Sequence, residues 1–312
     1  MSEILVVAFG GNALWPQGSR GSTREQIAHA RRACAPLIER LRAGSRLLIV
    51  FGNGPQVGAE LLRGQAAQAL VEPAPLDVCV AATQGTIGYL LELALRAELR
   101  IAGLERQVSS LASLVLVDPE DPAFADPDKP VGPFYAADEA DRLRRELGWT
   151  LREDAGRGFR RVVASPRPIA LLDTASVRAL LDAGHVVLAG GGGGVPVARG
   201  ADGVEFGVEA VVDKDWTAAL LGRSVGAREW IDLTAVDRVE RGFGRPEATP
   251  LAHMTVAEAR AMAEAGEFPP GSMGPKINAA IDFLATGERV LITSLARLGD
   301  ALAGRSGTWI TR

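Results

Sequence analysis

Three lysines stand apart in a chain that otherwise carries its positive charge on arginine. Of 34 basic side chains, only Lys129, Lys214 and Lys276 are lysine. Arginine presents a rigid planar fork, whereas lysine is a compact point charge on a flexible stem. A site that must follow a migrating negative charge can use the second and not easily the first. Lys214 lies between Asp213 and Asp215 at a predicted helix start, and Lys276 follows Gly274 and Pro275 at another. The first turn of a helix already carries partial positive charge, so a cation sits poorly there unless an anion is shared. Such positions suit phosphate chemistry. The plainer readings are a solvated Asp-Lys-Asp cap for Lys214 and a solvated charge in a polar segment for Lys129.

Glycine supplies the second ingredient. Gly10-Gly11-Asn12, Gly52-Asn53-Gly54 and the five glycines at 190–194 each follow a short apolar run. At the carboxyl ends of parallel strands, glycine lets backbone N–H groups come close to a ligand, and a following helix N-terminus adds about half a positive charge. One such turn is simply a tight connection; three of them, two with an Asn, point to an anion site. No GxxxxGKS/T string occurs, so the site is not a P-loop. No glycine cluster gives GxGxxG with an acid ~20 residues on, which argues against a nicotinamide cofactor. With three His and two Cys, and without CxxC, HExxH or GxSxG, a zinc site or a Ser-His-Asp relay is disfavoured.

These turns need strands to carry them. Residues 4–9, 47–51, 113–117, 185–189, 230–233, 290–293 and 308–311 read as strands, several of them apolar throughout, as strands covered on both faces are. Ser22 and Glu25 have capping-box spacing and open a helix that runs to Gly44 with a kink at Pro36. Further helices are predicted over 56–70, 77–102, 174–183, 210–221, 255–265 and 275–285; Thr255 and Glu258 repeat the capping-box spacing. Repeated strand–helix units imply a mostly parallel twisted sheet with helices on both faces. From 118 to about 168 the chain turns polar, Pro-rich and Arg-rich with poor periodicity, which reads as an inserted subdomain or lid.

Composition narrows the function classes. A chain of 312 residues allows two ordinary domains or one large α/β unit with an insertion. The net charge of −4 gives no electrostatic case for nucleic acid or an anionic membrane as partner. The longest apolar runs, such as 114–117 and 186–189, fall far short of the ~18–20 residues of a membrane span. No signal-peptide pattern opens the chain, and both cysteines sit in apolar contexts, so a reducing, cytoplasmic setting is expected.

The strings VAFGGNAL at 7–14, GNGPQVG at 52–58, DKPVGPF at 128–134, GGGGVPV at 191–197, EAVVDKD at 209–215 and GSMGPKI at 271–277 closely resemble the carbamate kinases, a branch of the amino acid kinase superfamily. They stand in family order across nearly the whole chain. The resemblance implies one domain over 1–312 with a three-layer α/β/α fold, a protruding subdomain at 119–168, and a homodimer. It implies reversible phosphoryl transfer between ATP and carbamate, giving ADP and carbamoyl phosphate, with Mg2+. By the same resemblance Lys129, Lys214 and Lys276 surround the transferred group and Asp215 orients two of them. Gly10, Gly11, Asn12, Gly52, Asn53 and Gly54 hold phosphate and substrate; Asp213, Thr234, Asp237 and Met273 fall on the nucleotide side; no residue is assigned to a metal. Phe51 stands where the family commonly has His. Two other readings remain open: a related phosphotransferase acting on another small carboxylate, and a catalytically weak nucleotide- or carbamoyl-phosphate-binding paralogue. Removing the Lys214 side chain is expected to remove most activity with little loss of folding.

Overall fold

Every residue of the strand Ile4–Phe9 is buried, and its side chains alternate between two separate cores. Ile4, Val6 and Ala8 join one core, and Leu5, Val7 and Phe9 the other. A strand's side chains point to opposite faces in turn, so a strand covered on both sides is apolar wherever its side chains have no buried polar partner. The computed structural model describes residues 2–16, 18–154, 156–245, 247–269 and 271–312.

Ile4–Phe9 lies inside an eight-stranded sheet. The order is His253–Thr255, Thr308–Thr311, Arg289–Ser294, Glu229–Thr234, Ile4–Phe9, Arg46–Phe51, Val186–Leu188 and Val108–Ser110. All neighbours run parallel except Arg289–Ser294 with Thr308–Thr311. The helices Thr174–Asp182, Lys214–Val225, Val256–Glu264 and Met273–Phe283 cover one face. Thr23–Cys34, Ile38–Arg42, Leu76–Ile101 and Leu298–Leu302 cover the other. The result is the expected α/β architecture of three layers.

Local chemistry explains the helix boundaries. Both capping boxes form, at Ser22 with Glu25 and at Thr255 with Glu258. Pro36 has no N–H to donate, and there the first long helix gives way to a 3-10 turn, Ala35–Leu37. The helix predicted over 210–221 instead runs Lys214–Val225, because the Asp213 carboxylate caps the Asp215 N–H and holds the chain extended up to that point. The strand predicted over 113–117 forms at Leu114–Val117, outside the main sheet. It belongs to a four-stranded sheet with Glu205–Gly207, Val195–Arg199 and Pro168–Leu171.

The polar segment has secondary structure of its own. Lys129–Tyr135, Phe159–Val163 and Leu151–Glu153 form a three-stranded antiparallel sheet beside the helix Ala137–Leu147. Tyr135, Ala140, Leu143 and Leu151 close a small core beneath it. The apolar-run reading of membrane spans needs correcting. Leu76–Ile101 has 26 residues and a mean hydropathy of 1.4 over its most apolar window, so by length and composition alone it could cross a bilayer. In the fold it is a core helix, with Ile87, Leu91, Ala94 and Leu95 fully buried against the sheet.

Candidate active site

Two helices bring Lys214 and Lys276 together. Lys214–Val225 and Met273–Phe283 pack side by side on one face of the sheet, and each lysine sits in its helix's first turn. Between them lie two carboxylates. Lys214 Nζ donates to Asp215 Oδ1 at 2.5 Å and to Asp232 Oδ1 at 3.0 Å. Lys276 Nζ donates to Asp215 Oδ2 and Asp232 Oδ2, both at 2.9 Å. The two lysine side chains are only 11% and 13% exposed, which rules out a solvated cap. Burial by itself would raise the Asp215 carboxyl, but Lys214 and Lys276 outweigh it and hold the group well below the usual carboxylate range. Burial likewise works against the Lys276 ammonium, and Asp215 and Asp232 outweigh it and keep that group above its ordinary value.

Lys129 arrives from another direction. It opens the strand Lys129–Tyr135 of the polar segment, and its Nζ donates to Asp213 Oδ2 at 2.8 Å. The other Asp213 oxygen caps the helix that carries Lys214. All three lysines therefore line one cavity of about 270 Å³, with Gly52, Asn53, Gly54, Gly192 and Asp213. In a chain with no other lysine, that convergence leaves little to chance.

The second glycine turn, 52–54, lines this cavity, and the first packs against it so closely that a side chain would not fit. A Cβ on Gly52 would lie 3.0 Å from the Gly11 nitrogen and 3.4 Å from the Lys214 stem. Asn53 is buried and donates through Nδ2 to Thr83 Oγ1 at 2.8 Å. Gly10 and Gly11 do not line the lysine cavity, Gly11 packing instead on Gly52 and Gly54, while Asn12 opens onto another cavity of about 430 Å³ with Trp15, Gly54 and Arg160. The third turn differs from its anion-binding reading. Gly190–Gly194 is wholly buried, and added Cβ atoms would strike Phe51, Asn53 and the Val212 carbonyl, so close packing accounts for most of the run. Only Gly192 among these glycines lines the lysine cavity.

The residues expected on the nucleotide side divide. Thr234 and Met273 line a mostly apolar cavity of about 210 Å³ with Phe243, Phe268 and Pro269. Ser272 and Lys276 line both this cavity and the lysine cavity, so the two are continuous in wall. Asp237 accepts from Ser294 Oγ at 2.5 Å and lies in the adjoining cavity of about 480 Å³ with Arg238, Arg297 and Arg305. Asp213 faces the lysine cavity instead. A larger cavity, about 710 Å³, lies between Gly54–Ala67 and the polar segment, and no lysine lines it. Its size therefore does not mark the chemistry.

Asp232 escaped the sequence reading. Its signal was available: an acid inside the run 230–233, whose other members are Trp, Ile and Leu, needs a buried partner. Phe51 is buried, with its ring against Gly191, where a Cβ would come within 2.4 Å of it, and it does not line the lysine cavity. Among the described residues no group of three or more His, Cys, Asp or Glu side chains is gathered as a metal cage.

A profile of the amino acid kinase family matches residues 3–294. The chain belongs to the amino acid kinase family. A carbamate kinase of Pyrococcus horikoshii is 42% identical over 314 residues, covering 100% of both chains. The carbamate kinase-like protein YqeA of Escherichia coli is 40% identical over 315 residues, covering 99% of each. Among solved structures, carbamate kinase from Giardia lamblia bound to AMP-PNP superposes with a TM-score of 0.91 at 38% identity, covering 99% of this chain and 98% of that one. Full-length likeness at this level puts the chain on the carbamate kinase branch of the family.

Proposed function

We propose that this chain transfers a phosphoryl group reversibly between ATP and carbamate. One observation carries the reading: its three lysines meet at one cavity lined by the glycine turn 52–54, next to an apolar pocket. The base of a nucleotide suits the pocket of Thr234, Phe268 and Met273. Its phosphates then pass Ser272 and Lys276, which border both cavities, and reach the lysine cluster. In the direction of ATP synthesis, a β-phosphate oxygen of ADP bonds to the phosphorus of carbamoyl phosphate. The bond from phosphorus to the carbamate oxygen breaks, and carbamate leaves as an anion. Charge spreads over the three equatorial oxygens, so the protein's task is to position and neutralise. The acceptor is already an anion in the reverse direction, and no general base is required of the protein.

The lysine ammonium groups provide positive charge where it develops, and backbone N–H groups of the glycine turn provide fixed dipoles. Mg2+ enters with the nucleotide. It favours phosphate oxygens, water and one or two carboxylates, and the acids at the cavity are already engaged by lysine. The segment 119–168 serves as a lid that delivers Lys129. A homodimer, implied by the family resemblance, is checked by sedimentation.

The deciding experiment is a coupled assay for ATP formed from ADP and carbamoyl phosphate. Robust turnover supports the reading. Turnover with acetyl phosphate but not carbamoyl phosphate assigns another carboxylate, an outcome the 430 Å³ cavity beside Asn12 and Arg160 has room for. ADP binding without turnover on either makes the chain a binding paralogue.

A further inference from the structure

We propose that Asp232 is a positioning residue of the transfer site, a second carboxylate that fixes the spacing and direction of Lys214 and Lys276. The proposal rests on the phosphoryl-transfer reading above and adds a residue to it.

Asp232 sits in mid-sheet, paired in register with Ala8 on one side and Ile292 on the other, and is fully buried. A carboxylate there is costly unless its oxygens find strong partners. Both do, one on each lysine. Asp215 repeats the pattern from the helix side. The four groups therefore close a ring in which each carboxylate spans both ammoniums. One carboxylate would suffice to keep the lysines near each other, but it would let each swing about a single anchor. Two anchors on different elements fix each ammonium in place. An ammonium has three N–H donors. Two on each lysine are taken by the ring, which leaves one for a phosphoryl oxygen.

The ring also sets the charge. Two lysines against two aspartates sum to zero, whereas the same lysines with Asp215 alone would carry +1. Asp232 thus weakens the pull on a resting anion while holding the donors in line for transfer. Its removal should separate binding from turnover, since only interactions stronger in the transition state raise the rate.

The test uses the full chain, titrated with MgADP and assayed with carbamoyl phosphate. Asp232→Asn should lower kcat on the order of 10- to 100-fold, as misplaced groups do. Its dissociation constant for ADP should stay level or fall. A merely structural role would weaken ADP binding and turnover together, and that result overturns the proposal. So does a variant whose kcat and KM both stay within about two-fold of the wild type. Asp232→Ser, smaller and still able to accept from lysine, is made alongside in case the Asn variant does not fold. If neither variant unfolds cooperatively, Asp232 is a folding residue and the proposal fails. A wild type without turnover overturns the functional reading and this proposal with it. A wild type that turns over beside an unchanged variant overturns this proposal alone.

Discussion

Asp215 and Asp232 face each other across the same two ammonium groups, each giving one oxygen to Lys214 and the other to Lys276. The ring couples stability to chemistry, because its members are buried and none can leave without stranding a charge.

Lys214→Ala is therefore expected to do more than abolish turnover. The sequence alone suggested little loss of folding, but the variant leaves two buried carboxylates facing one ammonium. Breaking a buried ion pair in this way costs about 3–5 kcal/mol. Urea unfolding at pH 8 checks the loss. A variant as stable as the wild type at pH 8 would contradict the buried ring.

The wild type's response to pH follows from the same ring. Asp215 titrates below its unfolded value of about 3.9, so its contribution is complete above that value and is lost as pH falls through the lower folded one. Lys276 titrates above its unfolded value of about 10.4, so its contribution is complete below that and is lost as pH rises through the higher folded one. Between about pH 5 and 9 the ring should give Tm no slope. A limb in kcat inside that window that Asp215→Asn removes would refute this assignment.

Lys129 offers the contrast. Its side chain is 34% exposed and pairs with Asp213, itself partly exposed, so Lys129→Ala should cost at most about 1 kcal/mol of stability. Turnover should nevertheless collapse. Lys129→Arg should not restore it, because a planar fork cannot occupy the place of a point charge. Full rescue by arginine would show that the site asks only for positive charge.

Phe51→His installs the residue that the family resemblance implies at this position and should not help. The ring fills a buried space against Gly191, and Gln84, at the same spot, already pairs both ends of its amide with Ser113. An imidazole there lacks a partner, at a cost of about 1–3 kcal/mol. Thermal melts and the coupled assay read the outcome; raised turnover would show that residue 51 tunes the acceptor site.

Much of the molecule was legible before its coordinates. The strands at 4–9, 47–51 and 290–293 could be read because burial on both faces makes their runs almost wholly apolar. Capping boxes and Pro36 act within a few residues, so they too were visible. The short strands Val108–Ser110 and Glu205–Gly207 were not, since three residues form no pattern and pairing partners decide them. The lysines drew notice through their scarcity. Asp232 did not, because its meaning depends on two helices that start 18 residues before it and 41 residues after it in the chain. The glycines at 190–194 misled for the opposite reason: packing and ligand binding call for the same residue.

Lys129 is carried by a unit with its own small core of Tyr135, Ala140, Leu143 and Leu151. Injury to that remote core would unseat one charge of three while the great sheet stood intact. The catalyst could thus be throttled from afar, by a lesion that never touches a substrate atom.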